Sequence, residues 1–393
     1  MSALQHIEHL SVTIGARGST TPREKEGHNY VKNVLDKLGC ATRVESFSAS
    51  PSIYLPVILG LGVALLGEAL FFGLGRTGDA AVGAVTALLL GVLALGSILL
   101  EVQTIDNPLR WFLPVAPSQN VIGVTPAKGE TKRRVAILAH VDTHRTPLIW
   151  HSRQTFAIYQ IIVPLGLLSA FALCVCFAIG IFAPSELLAN LSLIPTALVL
   201  VAWLMVLQAH NTPYTRGAND NASGVGVMLG LAERAQQAPL ENTELWWVGT
   251  GCEEVGAYGS VDFIRRYAPD LKTGAVVVID NIAGEDTGPV YLSQEGILRS
   301  VPYPPAMLTL ADQVARAHPE WGGRVYPHKT GAFTDAFPAL QVGLNVLTFV
   351  GYTRDGWLPN WHNVTDAFVN INSEAVQRTE EFVWAVLGEM DKG

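Results

Sequence analysis

Four long apolar runs limit the fold more than any other feature of this sequence. They are "IYLPVILGLGVALLGEALFFGLG" from Ile53, "AAVGAVTALLLGVLALGSILL" from Ala80, "FAIYQIIVPLGLLSAFALCVCFAIGIF" from Phe156 and "LLANLSLIPTALVLVAWLMVL" from Leu187. Each approaches or exceeds the roughly 20 residues a helix needs to cross a hydrocarbon core. Helices buried in a water-soluble core keep a polar stripe, whereas polar residues here are few and scattered. With 49% hydrophobic and only 15% charged residues, the chain is unusually greasy, and these runs carry the excess. They read as four transmembrane helices in two hairpins, 52–102 and 154–209. Glu68 falls inside the first run, where a place near the helix end reads as snorkelling toward the headgroups.

An even number of crossings leaves 1–51, 103–153 and 210–393 on one side of a bilayer and free to form a single domain. The opening "MSALQHIEHLSVTIGARGS" has no apolar core of the kind a secretory signal carries, so the first run is expected to anchor the chain. The domain is then expected to face the cytoplasm. A net charge of −8, with no lysine–arginine run, argues against nucleic acid as a partner. Cys174 and Cys176 lie within an apolar run, and Cys40 and Cys252 make no recognisable metal or disulfide pattern.

Outside the runs, helix and strand patterns alternate. "EGHNYVKNVLDKLG" has helical spacing and ends at Gly39, while "ATRVESFSA", "NVIGVTP", "RRVAILAH", "TELWWVGT", "GAVVVID", "PVYLS" and "LNVLTFV" read as strands. Helices are expected near "SVDFIRRYA", "PAMLTLADQVARAH" and "SEAVQRTEEFVWAVLGEM". Such alternation predicts an α/β fold: a mixed, mostly parallel sheet with helices on both faces. In "GANDNASGVGV", Asp220 and Ser223 can cap the helix that follows. If "ATRVESF" pairs antiparallel with "NVIGV", and "NVIGV" with "RRVAILAH", both hairpins leave one end of the sheet, and that end bears His140.

Metal-capable side chains recur at or near predicted strand ends, where open α/β sheets place their sites. They are His140 and Asp142 in "AHVDTH", Asp220 in "GANDNASG", Glu253 and Glu254 in "GCEEVGAYGS", Asp280 in "VVVIDN" and His362 in "NWHNVTD". Each alone has an ordinary explanation as a cap, a solvated pair or a loop residue. Together, imidazole and carboxylate donors in this order suit zinc, and two histidines with three carboxylates would serve a pair of ions sharing one carboxylate.

These motifs, in this order, resemble the di-zinc aminopeptidases of the aminopeptidase S and aminopeptidase Y type, in metallopeptidase clan MH. "IGARGSTTPREKEGHNYVKNVLDKLG" and "TDAFPALQVGLNVLTFVGY" are similar to that family's flanking elements, so the resemblance spans the soluble chain and leaves out the four apolar runs. The resemblance implies two Zn²⁺ ions, one held by His140 and Asp280, the other by Glu254 and His362, with Asp220 bridging. Asp142 would orient the His140 ring, and Glu253 would be the general base. It implies an aminopeptidase acting on peptides with a free amino terminus. Two departures stand out: Trp361 precedes His362 where many relatives have tyrosine, and Ala336 follows Asp335 where histidine is frequent. A zinc amidohydrolase or glutaminyl-cyclase-like activity, and a non-catalytic membrane scaffold, are the competing readings. The hairpins beside His140 lead to the expectation of a catalytic mouth near the bilayer and of apolar or membrane-proximal substrates.

Overall fold

The computed structural model describes residues 1–77, 79–103, 105–296, 299–327 and 333–392. They fall into two compact units. One is formed by Met1–Pro51, Val115–Arg145 and Tyr214–Gly393, the other by Ser52–Pro114 and Thr146–Pro213. Residues 103–114, 146–153 and 210–213, read from sequence with the α/β domain, group with the helical unit.

The first unit contains ten strands among the described residues. They are β1 (Ala41–Ala49), β2 (Ala116–Thr125), β3 (Arg133–His140), β4 (Thr243–Thr250), β5 (Ala275–Asp280), β6 (Val290–Leu292), β7 (Gln294–Glu295), β8 (Val301–Pro302), β9 (Arg324–Tyr326) and β10 (Val346–Val350). Eight form one mixed sheet in the order β1-β2-β4-β3-β5-β10-β6-β9, and β7 and β8 make a separate pair. The central strands β4, β3, β5 and β10 run parallel to one another, and β1 and β2 lie antiparallel at one edge. Such strands must be apolar on both faces. Along β3, Val135, Ile137 and Ala139 enter one core with the helices Pro22–Lys37, Gly224–Gln237 and Ser373–Lys392. Ala136 and Leu138 enter the other, beneath the helix Tyr258–Leu271.

One pairing expected from sequence is corrected. β2 does not pair with β3; β4 lies between them, antiparallel to β2 and parallel to β3. The connection after β2 hangs on the chain leading into β4, with Lys128 N donating to Leu240 O (2.8 Å) and Lys132 N to Asn242 O (2.9 Å). It thereby steps across a strand rather than closing a hairpin. The expected polarity survives the change. Ala49 pairs with Ala116, Val121 with Gly249, and His140 with Thr250. The chain therefore leaves this unit after β1, and rejoins it before β2, at the sheet end that carries His140.

The second unit holds four helices long and apolar enough to cross a membrane: Tyr54–Gly75, Ala80–Glu101, Arg153–Phe182 and Glu186–His210. Small residues let them pack closely. A Cβ on Gly180 would lie 2.4 Å from the Phe71 ring, and one on Gly91 would lie 2.9 Å from Cys174 Sγ. Glu68 departs from the snorkelling expectation. It is only 3% exposed and accepts a 2.7 Å hydrogen bond from Ser192 Oγ on the helix Glu186–His210. Turning a carboxyl toward a hydroxyl-bearing helix avoids the cost of facing lipid.

Candidate metal centre

His140 is the last residue of β3 and Asp280 the last of β5; Glu253 and Glu254 follow β4 by three and four residues. Asp220 lies in the turn Ala218–Ser223 before the helix Gly224–Gln237, and His362 in the segment after β10. Parallel order thus brings five separated stretches to one sheet end. All six side chains are buried.

The geometry is that of two donor sets sharing one carboxylate. His140 Nε2 stands 3.2 Å from Asp220 Oδ1 and 3.4 Å from Asp280 Oδ1. His362 Nε2 stands 3.3 Å from Asp220 Oδ2 and 3.2 Å from Glu254 Oε2. Four donors about 2.0–2.1 Å from a tetrahedral zinc are spaced about 3.3–3.4 Å apart, so these separations fit an ion on each side of Asp220. His140 Nε2, Asp220 Oδ2 and Asp280 Oδ1 are buried and make no hydrogen bond, as donors aimed at a cation would be. The charge balance points the same way. Burial and the charge of Asp220 push the Glu254 carboxyl well above its ordinary range, and burial and the charge of Glu254 do the same to Glu253. Nearby cations would restore the ionised forms.

A shell of hydrogen bonds holds these donors. Asp142 Oδ1 accepts from the Glu253 amide (3.1 Å), and Oδ2 from the Glu254 amide (3.2 Å) and Ser19 Oγ (2.6 Å). The His140 ring turns Nδ1 toward Asp142, 3.2 Å from its carbonyl oxygen and 3.6 Å from Oδ1. Asp142 therefore aligns the ring through its backbone carbonyl and pins the paired glutamates through its carboxylate. The Asp220 turn is stitched to the end of β5: Asn221 Nδ2 donates to Ile279 O (2.9 Å), and Ala283 N donates to Asn219 Oδ1 (2.7 Å). The capping expectation is corrected here. Ser223 makes no cap bond; its hydroxyl donates to Asn219 O (2.6 Å), while Asn221 Oδ1 accepts the Gly224 amide (2.9 Å).

Four supporting residues escaped the sequence reading. Asp366 accepts the amides of Asn219 (2.6 Å) and Asp220 (3.2 Å), fixing the shared carboxylate from behind. Burial and the charge of Asp220 push its carboxyl up to about 7. Glu24 accepts the amides of Thr20 (2.7 Å) and Cys252 (2.9 Å) and the Ser118 hydroxyl (3.0 Å), and so secures the turn into Glu253. Arg17 is fully buried, and its guanidinium donates to the carbonyls of Leu10, Gly15, Val141, Arg216 and Gly217 at 2.7–3.0 Å. Gly217 must be glycine: its φ is +60°, and a Cβ would sit 2.1 Å from Thr143 Cγ2. His144, written in the "AHVDTH" motif itself, stacks on His362 with centroids 3.6 Å apart.

The two sequence departures also find places. Trp361 tilts against the His362 ring at 4.5 Å, and Ala336 is buried in the core under the helix Tyr258–Leu271. Asp335 accepts a hydrogen bond from Thr250 Oγ1 at the end of β4.

Fold and site together define a class: an α/β protein with a zinc aminopeptidase-like fold and two groups of side chains able to hold metal at the carboxyl ends of its parallel strands. In sequence, residues 200–387 match the model of peptidase family M28. Alkaline phosphatase isozyme conversion protein of Escherichia coli K12 is 32% identical over 145 residues, 34% of this chain and 40% of that protein. Aminopeptidase YwaD of Bacillus subtilis 168 is 24% identical over 197 residues, 48% of this chain and 41% of that one. The chain thus spans about two fifths of the length of these curated relatives. Among solved structures, BSAP, a zinc aminopeptidase from Bacillus subtilis, aligns with a TM-score of 0.57 at 13% identity, covering 98% of this chain and 94% of that one. Porphyromonas gingivalis glutaminyl cyclase aligns with a TM-score of 0.59 at 14% identity, covering 99% and 97%. At such identities the likeness is one of fold.

Proposed function

We propose that the chain is a membrane-embedded, zinc-dependent aminopeptidase, its catalytic domain carrying two inserted transmembrane hairpins. The observation that carries this reading is Asp220 offering one oxygen to His140 and the other to His362, at 3.2 and 3.3 Å. His140, Asp220 and Asp280 would hold one ion, and Asp220, Glu254 and His362 the other. When bound, a zinc pair supplies Lewis acidity toward the scissile carbonyl and a lowered pKa for attacking water. Glu253 then acts as general base, taking a proton from that water and returning one to the leaving amine. Asp142 keeps the His140 ring and the Glu253 backbone in register. The buried carboxylates of the site also favour a substrate bearing a free, positively charged amino terminus.

Membrane embedding rests on the four apolar helices, and an even number of crossings puts the domain on one side, for which we favour the cytoplasm. The chain passes into the helical unit two residues after His144 and enters the first helix of the second hairpin at Arg153, so we assign apolar or membrane-proximal peptides as the preferred substrates. A glutaminyl-cyclase-like reaction is the second reading, supported by the shared fold. One experiment separates them from a scaffold: zinc quantitation on the purified full chain in detergent, with a panel of aminoacyl and amino-terminal glutaminyl peptides. Two zincs with release of free amino acids is the expected result. Cyclisation without hydrolysis selects the second reading, and a metal-free, inert chain rejects both.

A further inference from the structure

The first metal motif contains one more histidine than the donor set above uses. His144 is buried beside the second set, and its ligating atom lies within 4.8 Å of those of Glu254 and His362. Its ring is nearly parallel to that of His362, inclined by 14°. Its backbone is tied down: Thr215 N donates to His144 O (2.8 Å), and the adjacent Arg145 forms an antiparallel bridge with Tyr214. The ring is oriented as well, with Nδ1 2.7 Å from the carbonyl of Arg145. An Nδ1–H donated to a backbone carbonyl leaves Nε2 with its lone pair, the tautomer and second bond common to metal-bound histidines.

We propose that His144 is a protein ligand of the second ion, completing a set of Asp220, Glu254, His362 and His144. The inference rests on the metal-centre reading above and extends it. Four protein donors close a tetrahedral site, whereas His140, Asp220 and Asp280 leave one position open on the other ion. Closed sites hold metal structurally, and open ones admit water or substrate. The two ions therefore divide their work: the ion at His140 is the one reached by substrate, and the ion at His144 is the more firmly retained.

The test is His144→Phe in the full chain, which keeps a flat ring against His362 and removes the nitrogens. Zinc affinity is measured by chelator competition, and the visible spectrum of the Co²⁺-loaded chain is recorded alongside. The expected result is at least a tenfold loss of affinity for one of two ions and a weakened Co²⁺ band, with the other ion unaffected. Wild-type affinities and spectrum in His144→Phe overturn the proposal and leave His144 as a stacking partner alone. Where the variant does not fold, a zinc-loaded structure of the wild-type chain decides: Nε2 about 2.0–2.1 Å from the ion supports ligation, and a distance beyond bonding range overturns it. A wild-type chain that binds no zinc rejects the centre as a whole, a result distinct from two bound zincs indifferent to residue 144.

Discussion

Replacing Arg17 by lysine probes how far the candidate centre depends on a residue that hydrogen-bonds the backbone around the metal donors and none of their side chains. The guanidinium donates to five carbonyls drawn from three stretches of chain: Leu10 and Gly15, Val141, and Arg216 and Gly217. Val141 lies between His140 and Asp142, and Gly217 opens the turn that carries Asp220. Lysine keeps the charge but offers three donors, so at least two of these bonds are lost. Leu10 O and Gly217 O also accept the amides of Gly15 and Ala222, so the cost is that of lost hydrogen bonds rather than of orphaned groups, about 0.5–1.5 kcal/mol each and about 1–3 kcal/mol in all. For a unit of this size, 1 kcal/mol moves Tm by roughly 2–4 °C, so the midpoint falls by about 2–12 °C. Thermal unfolding of the full chain in detergent with chelator present measures this without any contribution from metal. The exposed Arg23, paired with Glu26, is the control, and Arg23→Lys leaves Tm unchanged. A shift under 2 °C for Arg17→Lys would refute the idea that Arg17 joins these three stretches.

Other consequences are open to direct measurement. Glu253→Gln keeps both zincs and loses about 10²- to 10⁴-fold in turnover, because the amide preserves shape but takes no proton; near-normal hydrolysis by metal-loaded protein contradicts the base assignment. Asp220→Ala depletes both ions, whereas Asp142→Asn lowers metal content less, and elemental analysis showing the reverse order removes the bridging role. Glu295 is buried, and burial raises its carboxyl to about 8 despite a hydrogen bond from Thr334. Because the folded pKa lies above the unfolded one, the neutral acid contributes stability that is complete below about 4.5 and gone once pH passes about 8. Thermal unfolding between pH 5 and 9 should show that decline in the wild type and a flatter profile in Glu295→Gln; parallel profiles exclude the buried neutral acid.

The strand-end donors were legible because chemistry and topology coincide there. His140 and Asp280 each close an apolar strand, and polar residues at those positions have few other reasons to exist. The apolar runs were legible for the same reason, since composition alone states what solvent they prefer. What the sequence concealed depends on contacts between distant segments. "NVIGV" carries no mark that its neighbour is "TELWWVGT" rather than the adjacent "RRVAILAH"; the choice is made by the chain running past Leu240 and Asn242. Arg17 and Asp366 act by satisfying backbone groups of segments far away in sequence, which no local pattern announces. His144 was a missed signal of another kind, a histidine four residues past a candidate ligand and already within the motif. Glu68 was misplaced because its hydroxyl partner lies on a different helix.

The threading of the chain has a consequence for its biosynthesis. β3 is flanked on both sides by strands, β4 and β5, that are translated only after the second pair of apolar helices. At roughly 5–20 residues per second, the about 70 residues of that insert occupy the ribosome for some 3–14 s, and His362 follows His140 by roughly 11–44 s. Until β4 is made, His140 sits at the end of an apolar strand with no neighbours. A nascent chain stalled within the insert therefore presents an unpaired, aggregation-prone strand and, of the residues proposed to hold zinc, only His140 and His144. On this reading the donor set of the first ion is complete once Asp280 is made, and that of the second waits for His362, so metal capture comes late in manufacture.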